Sequence, residues 1–279
     1  MIRIRWGRRQ CRIHQPVFRQ STLQHRRELE NPQPMANGHS PITENTHLPR
    51  RPVPDRLVVL TFDDAVSNHA LFVAPLLARH GFGGTFFICE FPPDFGTNKT
   101  QYMTWEQIRS LHDQGFDVGN HTGHHRAFRG LSPETMIDEI EYIERRFREH
   151  GIGFPTSFCY PENAVDVAAL PILAGKGYRF ARCGEERAYS PMADHPLQVP
   201  SLGVHGTDPR VFYDAVSHAR EGRIAVLMFH GVPEHTHPWV STPAELFEEY
   251  LRYLRDNAYT VISMRDLREY VDTRDALSA

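Results

Sequence analysis

Two adjacent carboxylates, Asp63 and Asp64, end a segment that begins with four apolar residues at 57–60. An apolar run of this kind is typical of a strand buried on both faces. Because an isolated buried carboxylate is unfavourable, carboxylates at the end of such a strand are usually paired, protonated or bound to a metal. The simpler alternative is a strand that reaches solvent at Asp63 and continues into a charged turn.

Three imidazoles, those of His121, His124 and His125, follow a short predicted strand. Two histidines four residues apart can point in the same direction if the segment forms a helical turn. With Asp64, His121 and His125 offer two nitrogen ligands and one oxygen ligand, which leaves positions on a metal open for water and substrate. A cluster of surface histidines in a polar loop is the alternative interpretation.

A further histidine, His230, ends the apolar run at 224–229 and is followed by Gly231. Its place at the end of a predicted strand favours the role of a catalytic acid or base. A buried histidine that bonds to a backbone carbonyl is the common alternative.

From Leu57 onward, predicted strands alternate with predicted helices over about 215 residues, which indicates a parallel sheet. Six or seven such units favour a closed or nearly closed (β/α) barrel, in which chemistry is located at the carboxyl ends of the strands. After the first strand, strands are predicted at 85–89, 116–120, 157–160, 178–183, 198–204, 224–229 and 260–263. Predicted helices occupy 70–80, 104–115, 132–151, 167–174, 209–220 and 243–257. The polar residues predicted at strand ends are Asp63, Asp64, His121, Tyr160, Arg182 and His230.

Three ordered motifs, Thr61–Asp64, His121-Thr-x-x-His125 and Leu227-x-x-His230, resemble those of the polysaccharide deacetylase family. This is the NodB-homology domain, carbohydrate esterase family 4. Residues 83–87 and 119–122 also match the usual surroundings of its motifs, and the resemblance covers roughly residues 56–270. It implies an α/β fold, a distorted (β/α) barrel with about seven parallel strands.

The resemblance also implies a set of residue roles. Asp64, His121 and His125 are expected to bind one divalent metal ion, usually Zn²⁺, with Co²⁺, Ni²⁺ or Mn²⁺ as alternatives. Asp63 is expected to be the general base and His230 the general acid.

The implied activity is metal-dependent hydrolysis of non-peptide C–N bonds, with acetyl groups removed from N-acetylated sugars. An O-acetyl esterase and a cyclic-amide hydrolase of the same fold are alternatives. A non-catalytic carbohydrate-binding protein is the alternative from another class, and the intact set of acidic and histidine residues argues against it.

One motif departs from the family pattern, which usually reads Arg-Pro-Pro-Tyr and uses its Arg to orient the catalytic base. Cys159 stands at the position of that Arg, and Glu162 replaces the usual aromatic residue. The Asp-Trp element of a fourth motif is not evident. Arg182, at the end of the next predicted strand, is a candidate to supply the missing cation to Asp63; a surface Arg paired with Glu185 or Glu186 is the alternative.

Weaker candidates surround the predicted site. Tyr160, Glu162, Arg182 and Trp239 are assigned to substrate or oxyanion contacts. Trp239 could stack on a sugar ring, although an anchor that holds its loop against the barrel is equally consistent with the sequence. His235 and His237 are interpreted as solvated loop residues.

Composition sets the remaining expectations. The chain has 279 residues, a formal net charge of −3 and an apolar fraction of 40%. These values indicate a globular protein with no nucleic-acid or membrane partner. The resemblance implies a carbohydrate or small acetylated molecule as substrate. Four cysteines without C-x-x-C spacing and the absence of a recognisable signal segment favour a reducing compartment, the cytoplasm.

Three segments follow from the same sequence. Residues 1–55 are rich in Arg and Pro and are predicted to be a disordered or weakly ordered tail, with Met35 as a possible alternative start. Residues 56–272 form the predicted catalytic domain, and 273–279 a C-terminal tail.

Overall fold

The computed structural model describes residues 50–274 and residue 277. Predictions for residues 1–49, including most of the tail and Met35, lie outside this part of the chain. The strands are β1 (Leu57–Phe62), β2 (Thr85–Ile88), β3 (Asp117–Asn120), β4 (Ser157–Cys159), β5 (Phe180–Glu185), β6 (Val199–Gly203), β7 (Ala225–Phe229) and β8 (Thr260–Ile262). The α-helices are α1 (Ala74–His80), α2 (Trp105–Asp113), α3 (Pro133–Glu149), α4 (Ala169–Lys176), α5 (Arg210–Ser217) and α6 (Ala244–Asp256).

Strands β1 to β7 form a closed parallel ring, which confirms the predicted seven-stranded (β/α) barrel. Each strand pairs with the next one along the chain, and β7 pairs with β1 from Val58 to Phe62. The other edge of β1 is shared by two partners. Its first half pairs with β8 and its last two residues pair with β2, so that β8 fills the gap where β1 and β2 diverge.

Two helices are capped at their N-termini by the residues that the sequence predicts. The Thr104 side chain and Gln107 form a reciprocal capping box at the start of α2, and Ser132 caps α3. The segment predicted as a helix at 70–80 begins as a π-helix, His69–Val73, before α1, and α5 ends three residues before its predicted end. Helix α4 runs two residues beyond its predicted end. Gly177, with φ of 95°, terminates it in a left-handed conformation, and β5 therefore begins later than predicted. Among the described residues, no helix is both long and apolar enough to span a membrane.

The strand period determines which side chains enter the barrel. Leu57 and Val59 lie in the apolar cluster inside the ring, whereas Val58, Leu60 and Phe62 pack against the surrounding helices. Continuing this alternation brings the carboxylate of Asp63 to the inside, above the apolar layer. The interior is therefore apolar at one end and polar at the carboxyl ends of the strands.

Gly83 precedes β2 and lies against the end of strand β8, which fills the gap between β1 and β2, and this close approach predicts an effect on stability. A Cβ added there would lie 2.6 Å from the backbone N of Ser263 and 2.8 Å from the carbonyl carbon of Ile262. Because backbone must move to admit it, Gly83→Ala should lower the free energy of unfolding by about 1–3 kcal/mol. Gly96→Ala is the matched control, since a Cβ there meets nothing within 4 Å. Urea unfolding of both variants is the measurement, and equal midpoints would contradict the close approach.

Candidate metal and catalytic site

The predicted metal ligands converge at the carboxyl ends of β1 and β3. Oδ1 of Asp64 lies 3.5 Å from Nε2 of His121 and 3.5 Å from Nε2 of His125. One ligand atom from each of the three residues falls within 4.8 Å of the others. Nδ1 of His121 donates to the carbonyl of Cys159 at 2.9 Å, which leaves Nε2 directed towards Asp64. The donor set and its orientation fit a divalent cation.

The segment 121–125 is not the helical turn that the sequence suggested. Thr122 and His125 have positive φ angles of 67° and 53°, and these bends bring the two ligand rings together. Glu139 holds the segment, because its carbonyl accepts from the backbone N of Gly123 and its carboxylate accepts from the backbone N of His124. His124 itself turns away from the other two rings, with Nδ1 3.1 Å from Oε1 of Glu139.

Asp63 and His230 lie close to each other and to the donor residue Asp64. Nε2 of His230 lies 4.0 Å from Oδ2 of Asp63 and 4.0 Å from Oδ2 of Asp64. Asp63 is almost completely buried and is paired with Arg182, whose Nη2 contacts Oδ2 of Asp63. The alternative of a surface Arg182 paired with Glu185 or Glu186 is therefore wrong.

The loop that carries His230 is held by two residues that sequence reasoning missed, Asn68 and His69. Burial lowers the pKa of His69 to about 4, so this imidazole is neutral and its Nε2 donates to the carbonyl of His230 at 3.0 Å. The amide of Asn68 donates to the carbonyl of Pro233 and accepts from the backbone N of Val232. Their position four and five residues after Asp64 was the available sequence signal.

The pKa values of the three donor residues are shifted in different directions. Burial alone raises the pKa of Asp64, but the hydrogen bond with His121 and the neighbouring imidazoles hold that pKa well below its usual range. Burial and the charge of His121 lower the pKa of His125 to about 4, which keeps it neutral. Burial also lowers the pKa of His121, but Cys159 and Asp64 outweigh this and raise it above the usual value. Cation binding at Nε2 of His121 therefore displaces a proton.

A cavity of about 340 Å³ opens above these residues. The predicted residues Tyr160, Glu162 and Trp239 line it, whereas Arg182 is not among the lining residues and reaches the site only through Asp63. The hydroxyl of Tyr160 donates to the carbonyl of Leu197 at 2.9 Å, so it is directed away from an oxyanion. Lining residues that sequence reasoning did not assign to the site are Phe91, Asn163, Met228, His237 and Val240.

The loop after His230 differs from prediction in two ways. His237 is not a solvated loop residue: its ring lies 5.1 Å from that of Phe91 and borders the cavity. Trp239 is 69% exposed at the mouth, so it does not anchor the loop. The anchor is the buried Glu234, whose carboxylate accepts from Nε2 of Gln101 at 2.7 Å and from the backbone N of Thr236 at 2.7 Å.

The closed ring of seven parallel strands matches the NodB-like (β/α) barrel of carbohydrate esterase family 4 deacetylases. Residues 50–181 match the family model described as polysaccharide deacetylase. The predicted resemblance to the polysaccharide deacetylase family is confirmed.

Individual relatives agree with this assignment. YxkH of Bacillus subtilis (strain 168), provisionally named a polysaccharide deacetylase, is 23% identical over 136 residues, which are 49% of this chain and 47% of YxkH. The chain thus spans about half the length of this curated relative. A structure from Mycobacterium smegmatis, also provisionally described as a polysaccharide deacetylase, has a TM-score of 0.57 at 15% identity. The match covers 80% of this chain and 94% of that one. A Clostridium thermocellum family 4 acetyl xylan esterase in complex with a cobalt ion has a TM-score of 0.54 at 19% identity, covering 76% and 89%. At these identities, the two structures show the shared fold.

Proposed function

We propose that this chain is a divalent-metal-dependent hydrolase that removes acetyl groups from N-acetylated carbohydrates. The observation that carries the proposal is the convergence of two groups on one cavity. A set of three metal-compatible donors, Asp64, His121 and His125, lies beside an acid–base pair, Asp63 and His230. In metal-assisted hydrolysis of an amide, both groups act on the same carbonyl.

Asp64, His121 and His125 are the residues that would hold the cation. When bound there, a divalent cation supplies Lewis-acid polarisation of an acyl oxygen and lowers the pKa of water, to about 7 in favourable zinc sites. Zn²⁺ suits two imidazoles and a carboxylate, and Co²⁺, Ni²⁺ and Mn²⁺ are the alternatives.

Asp63 and His230 would move the protons. Asp63, paired with Arg182, accepts a proton from the attacking water as the new C–O bond forms. His230 donates a proton to the departing nitrogen as the C–N bond breaks, because an amine anion is a poor leaving group. Proton return from Asp63 to His230 restores the starting state, and acetate and a free amine leave.

The cavity supports a carbohydrate as substrate. Aromatic rings at its wall and mouth, those of Phe91 and Trp239, offer flat apolar faces of the kind that stack on sugar rings. The volume of about 340 Å³ suits a single sugar unit or the end of a chain. Glu162, which is exposed at the cavity, places a negative charge where the family usually has an aromatic ring.

Acetate release from three substrate classes tests the proposal. Purified protein, loaded in turn with Zn²⁺ and Co²⁺, is incubated with N-acetylated chitooligosaccharides, with O-acetylated xylan and with a cyclic amide. Release from the chitooligosaccharides alone or at the highest kcat/KM supports N-deacetylation. Preference for acetylated xylan would assign the chain as an O-acetyl esterase instead, and ring opening without acetate would assign it as a cyclic-amide hydrolase. Sugar binding without turnover of any substrate would leave the non-catalytic alternative.

A further inference from the structure

Two side chains on neighbouring strands lie beside the carboxylate of Asp63. Cys159 on β4 and Arg182 on β5 are direct Cα partners in the parallel ladder. Both point to the inside of the barrel, since the residues beside them in each strand, Phe158 and Ala181, belong to a cluster outside the ring. The thiol of Cys159 lies 3.9 and 4.0 Å from the two oxygens of Asp63. Positions 159 and 182 therefore both face this carboxylate.

The guanidinium of Arg182 is held through its two terminal nitrogens, whereas its buried Nε has no hydrogen-bond partner in the described part of the chain. The residue is 0% exposed, and its Nη2 contacts both Oδ2 of Asp63 and Sγ of Cys159. Nη1 donates to Oγ of Ser201 at 3.1 Å, and Ser201 in turn donates to the carbonyl of Cys183 at 2.5 Å. Its carbon lies 5.7 Å from the centre of the Phe87 ring. These contacts direct the charged group towards Asp63.

Burial of an Arg is unfavourable unless its charge is compensated. Within the part of the chain that the structure describes, Asp63 is the one carboxylate in ion-pair contact with Arg182. A buried ion pair contributes little net stability compared with apolar side chains of the same volume. Fixing one orientation of a carboxylate that must accept a proton is a role that an apolar pair could not perform.

We propose that Arg182 is the positioning residue for Asp63, and that the orienting cation can be supplied from β5 in place of β4 because positions 159 and 182 are paired on the same inner face. The contact between Arg182 and Asp63 is independent of any activity. The effect on turnover rests on the proposed function.

The kinetic test measures kcat, KM and bound Zn²⁺ separately, so that a loss of positioning can be distinguished from a loss of substrate or metal binding. Arg182→Met should lower kcat by ten-fold or more while KM and bound Zn²⁺ stay unchanged. The effect should vanish in an Asp63→Asn background, because there is then no carboxylate to orient. The exchange variant Cys159→Arg/Arg182→Cys should recover most of the kcat that Arg182→Met loses. Arg187→Met is the control, since Arg187 lies on the surface near the end of the same strand and pairs with Glu185 and Asp194.

A second test uses metal-free protein and no substrate. Urea unfolding of Arg182→Met, Asp63→Asn and the double variant should give a double variant with a higher midpoint than Arg182→Met, because removing Arg182 alone leaves a buried charge without its partner. If Arg182→Met fails to fold, the exchange variant decides the question.

Three results would overturn the proposal: unchanged kcat in Arg182→Met, additive midpoint losses, or a folded, metal-loaded exchange variant no more active than Arg182→Met. A wild-type protein that hydrolyses nothing would refute the proposed function, and the unfolding cycle would still test the contact.

Discussion

His121→Ala protein is expected to purify with little or no divalent metal under conditions where the wild type carries about one ion per chain. The substitution removes one of three donors, and it also removes the ring whose Nδ1 bond to the Cys159 carbonyl fixes the direction of Nε2. Loss of an outer partner alone typically weakens metal binding by about 10–100-fold, and loss of a ligand should exceed that. Elemental analysis and a zinc titration by calorimetry measure the change.

His124→Ala is the matched control for this experiment. His124 lies in the same segment, its side chain is 47% exposed, and it contacts Glu139 instead of the donor set. We expect this variant to retain its metal. Full occupancy in His121→Ala, or equal loss in both variants, would show that the predicted ligand set is wrong.

His230→Gln should lower turnover of an N-acetylated sugar by about 10²–10⁴-fold, the range that general acid–base groups contribute. Bound metal should remain, because His230 is outside the donor set and its Nε2 is 4.0 Å from Asp64. The physical reason is the leaving group, since nitrogen departs only when it is protonated. The loss should shrink for 4-nitrophenyl acetate, whose leaving group needs no proton.

His235→Gln provides the comparison for that variant. His235 is exposed in the same loop and does not line the cavity, so its replacement should leave both substrates unaffected. An equal loss of activity on the amide and on the aryl ester in His230→Gln would argue against a general acid. It would instead indicate that His230 positions substrate or supports the loop.

The barrel and its polar end were predictable from the sequence because both depend on local pattern. The apolar run before Asp63 and the run before His230 fix two strands, and strand ends in a parallel barrel necessarily share one face. Arg182 was predictable as a partner of Asp63 for the same reason, since β4 and β5 are consecutive.

The parts that were missed depend on contacts between distant segments. His237 approaches Phe91 only because two loops separated by more than a hundred residues meet over the barrel, and neither loop carries a periodic pattern. The spacing of His121 and His125 was compatible with a helical turn, whereas Glu139, on α3, holds the segment in a different path. The position of β8 beside β1 also has no local signal, although the strand itself was predicted.

The shared edge of β1 has a consequence for how this chain acquires its structure. Val58 pairs with Ala225 and Leu57 with Thr260, so that the first strand finds its partners near the opposite end of the described chain. On a ribosome, β1 therefore leaves the exit tunnel long before either partner has been made, and during that time it can pair only with β2, through two residues. Contacts of such high sequence separation favour slow folding and transient exposure of apolar strand edges. The segment that presents Asp63 and Asp64 is thus completed by residues that are synthesised long after it.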